Sequence, residues 1–598
     1  GGASHVRGHS GDATSGSKHR SNGHADSSAS SGGGGAAGAA GVASSSGHHR
    51  RSSSHHSDAS SKTASPARSA VNLHKSRLGF FKKIYLDICR EAEVEAEGNF
   101  VAYVDAALHS HQKMSTLQMS DYNWSFQSLL PVAHAVLQAS TYQPEHADSF
   151  VENMAVTAID LSSNGLTADV VPAVRKLLEC SFPLRRVSLA DNDLRAKGIA
   201  LLTDALARRK SLDTLDVSMC GVTDKGLEAL VMGLNKLKAN FKSISVGGNV
   251  LTAGCVESLA AFVLHNHELR ELRLGNAPTV PEKAQNKLGD KGLTSLLHSI
   301  AEHSHLTLID LNANGIKSGV ALAKWFQSNY EVRKAVRGPR YEGALLSDNA
   351  LGVDFAMEMG KMVASSACPK VLHLGNNSLK PKATQALTTG LENARHLQEL
   401  YLQGAEFNDR GAEQIVRAVA ANAPLTHLSL RACGLNKVAL SGLVRALDSN
   451  QTLVYLDLCR NKLTKDHADN LAASLTRHRT LRELNIAECA LDKKSLVMLL
   501  SALESNTSLV TLHVDANPGW CAEALLELAG ALARNMTLEE ITLRKIGVKP
   551  KEIVTFLSAL AENAGALRTL NIEHNNLQGK DAVISAVRNL TSVQVLWK

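Results

Sequence analysis

The sequence predicts an α/β solenoid: a right-handed horseshoe with a parallel sheet on its concave face and helices on its convex face. Three observations predict it. First, LTHLSLRACGLNKVALSGLVRALDSNQT, LVYLDLCRNKLTKDHADNLAASLTRHRT and LRELNIAEC follow one another from Leu425 to Cys489 and align as L-x-x-L-x-L-x-x-(N or C)-x-L. Cys433, Asn461 and Cys489 stand in one column, 28 residues apart, and a fixed period of this length marks a stacked-repeat architecture. Second, the column recurs fifteen times, at Asn164, Asn192, Cys220, Asn249, Ala277, Asn314, Asn349, Asn377, Ala405, Cys433, Asn461, Cys489, Asn517, Ile546 and Asn575. The step is 28 or 29 except from Ala277 to Asn314 (37) and from Asn314 to Asn349 (35). Third, amphipathic runs such as Gly226–Leu237 follow the motif, with apolar residues at i, i+3, i+4 and i+7.

Each part of the motif has a physical task. The L-x-L core alternates side chains, so its two leucines point inward and the residue between them points to the cavity. Parallel pairing of successive strands requires a long return connection, which the helix supplies. The turn after the strand leaves carbonyls away from water; an Asn amide satisfies them and a Cys thiol is a smaller substitute. Ala277, Ala405 and Ile546 lack that donor, so altered turns are expected there. A helix is wider than a strand, so the stack must curve. About 4.8 Å per strand over fifteen repeats gives an inner arc on the order of 70 Å.

Composition agrees with a solenoid. Aromatic residues are 4% of 598, low for one large globular core. The net charge of +7 is small for this length, and no basic stripe with interleaved aromatics points to nucleic acid. The nine cysteines form no C-x-x-C and no Cys/His cluster with zinc spacing, which implies reduced thiols in the cytoplasm or nucleus. No apolar run of 18 residues suggests a membrane span, and no metal or cofactor motif is present. The sequence opens on Gly rather than Met, as a fragment or processed product would.

Three regions follow. Residues 1–68 are a Ser/Gly/His-rich segment that cannot bury enough apolar surface to order itself. It holds the pairs His48–His49 and His55–His56, read as a solvated tail, and phosphorylatable serines in Arg50–Ser54 and at Ser65. Residues 69–150 read as a helical cap over the open solenoid edge: helices at Phe80–Ala92, Phe100–His111 (capped by Asn99) and Leu129–Ala139, a degenerate strand at Leu117–Met119, and Trp124 and Phe126 in its core. Residues 151–598 hold the repeats, and the final VQVLW resembles the strand of one more. The insertions around 278–291 and 330–343 map to loops.

These motifs resemble the leucine-rich repeat family, and the 28/29 alternation resembles its ribonuclease-inhibitor-like subclass. Members are mostly protein-recognition modules: the ribonuclease inhibitor, sensor arms of NOD-like receptors, the Ran GTPase-activating protein, actin-regulatory proteins and an axonemal dynein regulatory subunit. The resemblance implies a non-catalytic scaffold that binds a protein on its concave face. Two alternatives come with it: a Ran-type GTPase activator, and a structural subunit of a cytoskeletal or axonemal assembly. The partner would then be a protein such as a small GTPase or a cytoskeletal component, in the cytoplasm or at the cytoskeleton or flagellum. The nucleotide-binding G-x-x-x-x-G-K-[ST] of the receptors is absent here, as is the acidic C-terminal run usual in the Ran activator.

With the column residue as zero, positions −6, −4 and −2 face the cavity and −1 its rim. The N-terminal wall is small and mildly acidic, with Asp160, Asp216 and Asp310 at −4. The C-terminal wall carries Tyr, His and Arg, of which Tyr and Arg are enriched at interface hot spots. Tyr401, His427, Arg431, Tyr455, Asp457 and Arg460 form the candidate partner site. The competing reading is a solvated sheet face with cross-strand pairs, such as Arg460 with Asp457 or Glu488. His427 and His513 lie three strands apart and His513 and His574 two, roughly 10 Å or more, too far for all three to share one metal. Arg333, Arg337 and Arg340 sit in a Pro/Gly-containing insertion. This is either a projecting arginine acting on a GTPase, or a solvated basic loop or lengthened helix.

Overall fold

The computed structural model describes residues 76–110, 112–144, 150–236, 240–377, 379–421, 423–577 and 581–597. The Ser/Gly/His-rich segment, with its histidine pairs and phosphorylatable serines, lies outside the described residues. So does Leu237, which ends the helical run that starts at Gly226. Described residues fall in one unit, Lys62–Lys598. They contain seventeen strands in a single sheet and eighteen α-helices. Each strand pairs in parallel with the next in sequence. Glu399–Tyr401, His427–Ser429 and Tyr455–Asp457, for example, lie side by side in exact 28-residue register. Between them the helices Asp409–Ala420 and Lys437–Ala446 make the crossovers. The L-x-L leucines, such as Leu428 and Leu456, are fully buried between sheet and helices.

The column residues bind as their chemistry dictates. Asn461 donates its amide to Leu430 O (2.8 Å) and Leu458 O (3.0 Å), while its Oδ1 accepts from the Leu435 amide (3.3 Å). One side chain thus ties two neighbouring turns. Cys489 keeps only the donor half, from Sγ to Leu458 O (3.2 Å). Burial pushes the thiols of Cys220, Cys433 and Cys489 up to about 12, so they stay protonated donors.

The three exceptional columns resolve differently. At Ala277 the insertion itself supplies the missing amide. Asn286 donates to Val246 O (3.0 Å) and Leu274 O (2.9 Å) and accepts from the Asn249 and Leu251 amides (both 3.1 Å). The true column residue of this repeat is therefore Asn286, not Ala277, and the intervening residues loop out through the short 3-10 turn Glu282–Ala284. At Ile546 the indole of Trp520 reaches Val514 O (3.0 Å), where a column Asn would otherwise donate. At Ala405 the backbone closes the turn, Ala405 N to Leu402 O (3.0 Å), with Gly404 at φ +74°.

The cap comprises helices Arg77–Glu91, Gly98–His109 and Phe126–Thr141 and the strand Met114–Gln118, which pairs with Met154–Asp160. Phe100 sits at its centre, edge-on to Phe81, Tyr85, Tyr122 and Trp124. Two expectations are corrected. The helix starts at Gly98, so its cap is the Glu97 carboxylate, which accepts from the Phe100 amide, rather than Asn99. Trp124 is core, but Phe126 opens its helix and is 39% exposed. The final VQVLW contains the strand Gln594–Leu596, paired with Thr569–Asn571.

Candidate functional site

The C-terminal wall converges on four strands: Val371–His373, Glu399–Tyr401, His427–Ser429 and Tyr455–Asp457. Register puts Glu399, His427, Tyr455 and Glu483 in one row, and His373, Tyr401, Ser429, Asp457 and Asn485 in the next. The small Ser429 lets the two rows of rings meet. His373 and Tyr401 have centroids 4.1 Å apart, Tyr401 and Tyr455 6.2 Å, and Tyr455 and His427 5.7 Å. This is one continuous, half-buried run of four rings. Tyr401 donates to Glu399 Oε2 (3.1 Å), and His427 Nδ1 meets Thr426 Oγ1 (2.9 Å), so both rings are oriented by neighbours.

Electrostatics follow from burial. Burial pulls His373 down to about 4, so the ring is neutral near pH 7. Burial raises both tyrosines, and the charges of Glu399 beside Tyr401 and of Asp457 and Glu483 beside Tyr455 push the same way. His373 and the two tyrosines thus present uncharged faces.

The six predicted residues divide. Tyr401, His427 and Tyr455 are brought together. The Arg431 side chain, half-buried at position −2, forms no hydrogen bond or ion pair among the described residues, and its charge acts on the nearby Asp457 carboxyl. Arg460 is exposed and pairs with Glu488 (2.9 Å), one of the two acids anticipated for it. Asp457 is 5% exposed: its oxygens accept from the Cys459 amide (2.9 Å) and Ser429 Oγ (3.1 Å). Asp160, Asp216 and Asp310 make the same bond to the amide two residues on (3.0, 2.9 and 3.1 Å). Aspartate at −4 therefore closes the strand end, and Asp457 lies beneath the patch. His373 enters the patch although it was outside the six; its position, −4 in the strand before Tyr401, was the available signal.

Farther along, polar groups are matched internally. Arg544 binds Asp515 through Nε (3.2 Å) and Nη2 (2.9 Å), and His513 contacts Glu483 (3.3 Å) and Thr542 (3.0 Å).

The insertion arginines also divide. The chain there is a lengthened helix, Val320–Val336. Arg333 does not project: it is 2% exposed, donating to Asn329 Oδ1 (2.8 Å), Pro339 O (2.9 Å) and Leu306 O, with its guanidinium 4.1 Å from the Tyr341 ring centroid. Arg337 and Arg340 are exposed.

Comparison with known proteins places this geometry. Residues 353–549 match the model of the PRAME C-terminal domain, and residues 210–231 match a leucine-rich repeat model. The chain is 26% identical over 287 residues to NACHT, LRR and PYD domains-containing protein 3 of Bos taurus, covering 47% of this chain and 26% of that protein. It is 30% identical over 161 residues to NACHT, LRR and PYD domains-containing protein 14 of Mus musculus, covering 27% and 15%. The chain thus spans about a quarter or less of these relatives. Among solved structures, a chain of the yeast Rad7–Elc1 complex aligns at 15% identity over 79% of this chain and 88% of that one, with a TM-score of 0.39.

Proposed function

The chain is a leucine-rich repeat protein, and from that premise we propose that it is a non-catalytic scaffold docking a protein partner on the ring patch of its concave face. Tyr401, Tyr455, His427 and His373 would supply the contact area, Arg431 the central charged contact and Arg460 the rim. The observation that carries the reading is the continuous run of four rings beside an arginine whose side chain forms no hydrogen bond or ion pair among the described residues. Aromatic and arginine side chains give most binding energy per residue when they cluster in this way. The rings are already oriented within the sheet, so docking orders little that is free beforehand. The cysteines, none in a disulfide and eight of nine buried, support a reducing compartment such as the cytoplasm. The relatives support protein recognition without naming its object.

The test is partner recovery by proximity labelling with the whole chain and with a Tyr401→Ala/Arg431→Ala/Tyr455→Ala variant. A partner set depleted in the variant supports the patch; an unchanged set rejects it. A GTPase-activating role would rest on Arg337 and Arg340, since Arg333 is enclosed. We expect no acceleration of single-turnover GTP hydrolysis by this chain. Acceleration lost in Arg337→Ala or Arg340→Ala would overturn the non-catalytic reading.

A further inference from the structure

A second concave feature lies away from the ring patch. The helix Val320–Val336 continues past its neighbours by the turn that carries Arg333 and Lys334. Arg337 then adopts φ +54°, and Gly338 passes so close to Ser304 O that a Cβ would stand 2.9 Å from it. This reversal folds Arg340 and Tyr341 back over the helix end and encloses a cavity of about 180 Å³. Tyr330, Lys334, Arg337, Arg340 and Ser366 line it, with Arg333 and the Tyr341 ring behind them. Tyr341 and Ser366 precede strands Gly343–Leu345 and Val371–His373, so the cavity is lined by segments that lead into the sheet.

The charges of this cavity are poorly compensated. Arg333 is enclosed with no carboxylate: its acceptors are an amide and two backbone carbonyls. Among the described residues, the Arg340 side chain hydrogen-bonds only the His396 ring (2.8 Å). The Arg337 side chain has no hydrogen bond or ion pair among the described residues. Lys334 has Glu331 at 3.9 Å. Cations do favour a helix C-terminus, but the macrodipole supplies only about half a negative charge. Against four formal positive charges and one acid, a clear positive excess remains at the mouth.

Shape selects among anions. Guanidinium forks match phosphate oxygens, with two parallel donors each. Pockets for drug-sized ligands start at about 300 Å³, so a nucleotide overfills this cavity, whereas one phosphate group with its ester link fits.

We propose that this cavity is a phosphate-monoester site receiving the phosphorylated Ser or Thr side chain of a protein partner, with Arg337 and Arg340 as its exposed clamps. It is separate from the ring patch, so the two proposals stand or fall independently. The test is calorimetric titration of the whole chain at low salt with O-phosphoserine, serine and inorganic phosphate. O-Phosphoserine should bind at least tenfold more tightly than serine or inorganic phosphate. Arg337→Gln/Arg340→Gln should weaken it at least tenfold with an unchanged melting temperature, while Tyr401→Ala/Tyr455→Ala leaves it intact. If the double variant melts early, Arg337→Gln alone should still weaken binding several-fold. Equal binding of O-phosphoserine and serine, unaltered binding in the arginine variants, or tighter binding of inorganic phosphate would each overturn the proposal.

Discussion

Asn461 shows what a single side chain does here. Its amide satisfies two buried carbonyls and its oxygen a buried N–H, in two adjacent turns. Leaving such groups unpaired costs about 1–3 kcal/mol. Asn461→Ala should therefore lower stability by about 2 kcal/mol in urea unfolding, and Asn461→Cys by less, because a thiol restores one donor. His373 gives a pH signature. Its folded pKa of about 4 lies below the usual 6.5, so the unfolded chain binds the extra proton between these values. Stability from this residue is thus full above about pH 6.5 and declines as pH falls toward 4. Comparing urea midpoints at pH 7 and pH 4.5, wild type should lose more than His373→Asn; equal losses would contradict the assignment. At this scale the sequence was informative about residue type and weaker on duty. Tyr401, His427 and Tyr455 were legible as a patch because period-2 alternation places them. Asp457 was not, because a carboxylate at −4 turns back on its own backbone.

At the scale of the element, the insertions are instructive. The 28-residue register makes Ala277 the column residue, yet the amide comes from Asn286, nine residues later. The signal was present: Asn286-Lys287-Leu288 repeats the N-x-L of turns such as Asn249–Leu251 and Asn461–Leu463, displaced by the loop. Asn286→Ala should consequently cost about as much as Asn461→Ala in the same unfolding measurement, although it stands outside the period; a neutral result would contradict its role. The insertion at 330–343 reads either as a projecting arginine or as a solvated basic loop or lengthened helix, and the lengthened helix is what forms. The helix extends to Val336 because Arg333 satisfies three acceptors at its end. Cap boundaries were misplaced for a simpler reason: residue type favours Asn99 as the N-cap, and only backbone geometry shows the helix starting at Gly98 with Glu97 before it.

For the repeats as a whole, contacts are between neighbours, so stability is a chain of local terms. A lesion in one column should loosen its neighbours and spare distant repeats. In Asn461→Ala, hydrogen exchange should rise in strands His427–Ser429, Tyr455–Asp457 and Glu483–Asn485 and stay unchanged in Arg186–Ser188 and Thr214–Asp216; a uniform rise would indicate all-or-none unfolding. The same one-dimensional order explains why the fold was readable and the partner was not. The period repeats fifteen times, whereas the ring patch occurs once. Its claim is tested most directly by placing a photocrosslinking side chain at position 427 and, as a control on the same face, at position 186. Crosslinking of the recovered partner from 427, lost in Tyr401→Ala/Arg431→Ala/Tyr455→Ala and absent from 186, is the predicted result. Crosslinking from 186 with none from 427 would contradict it.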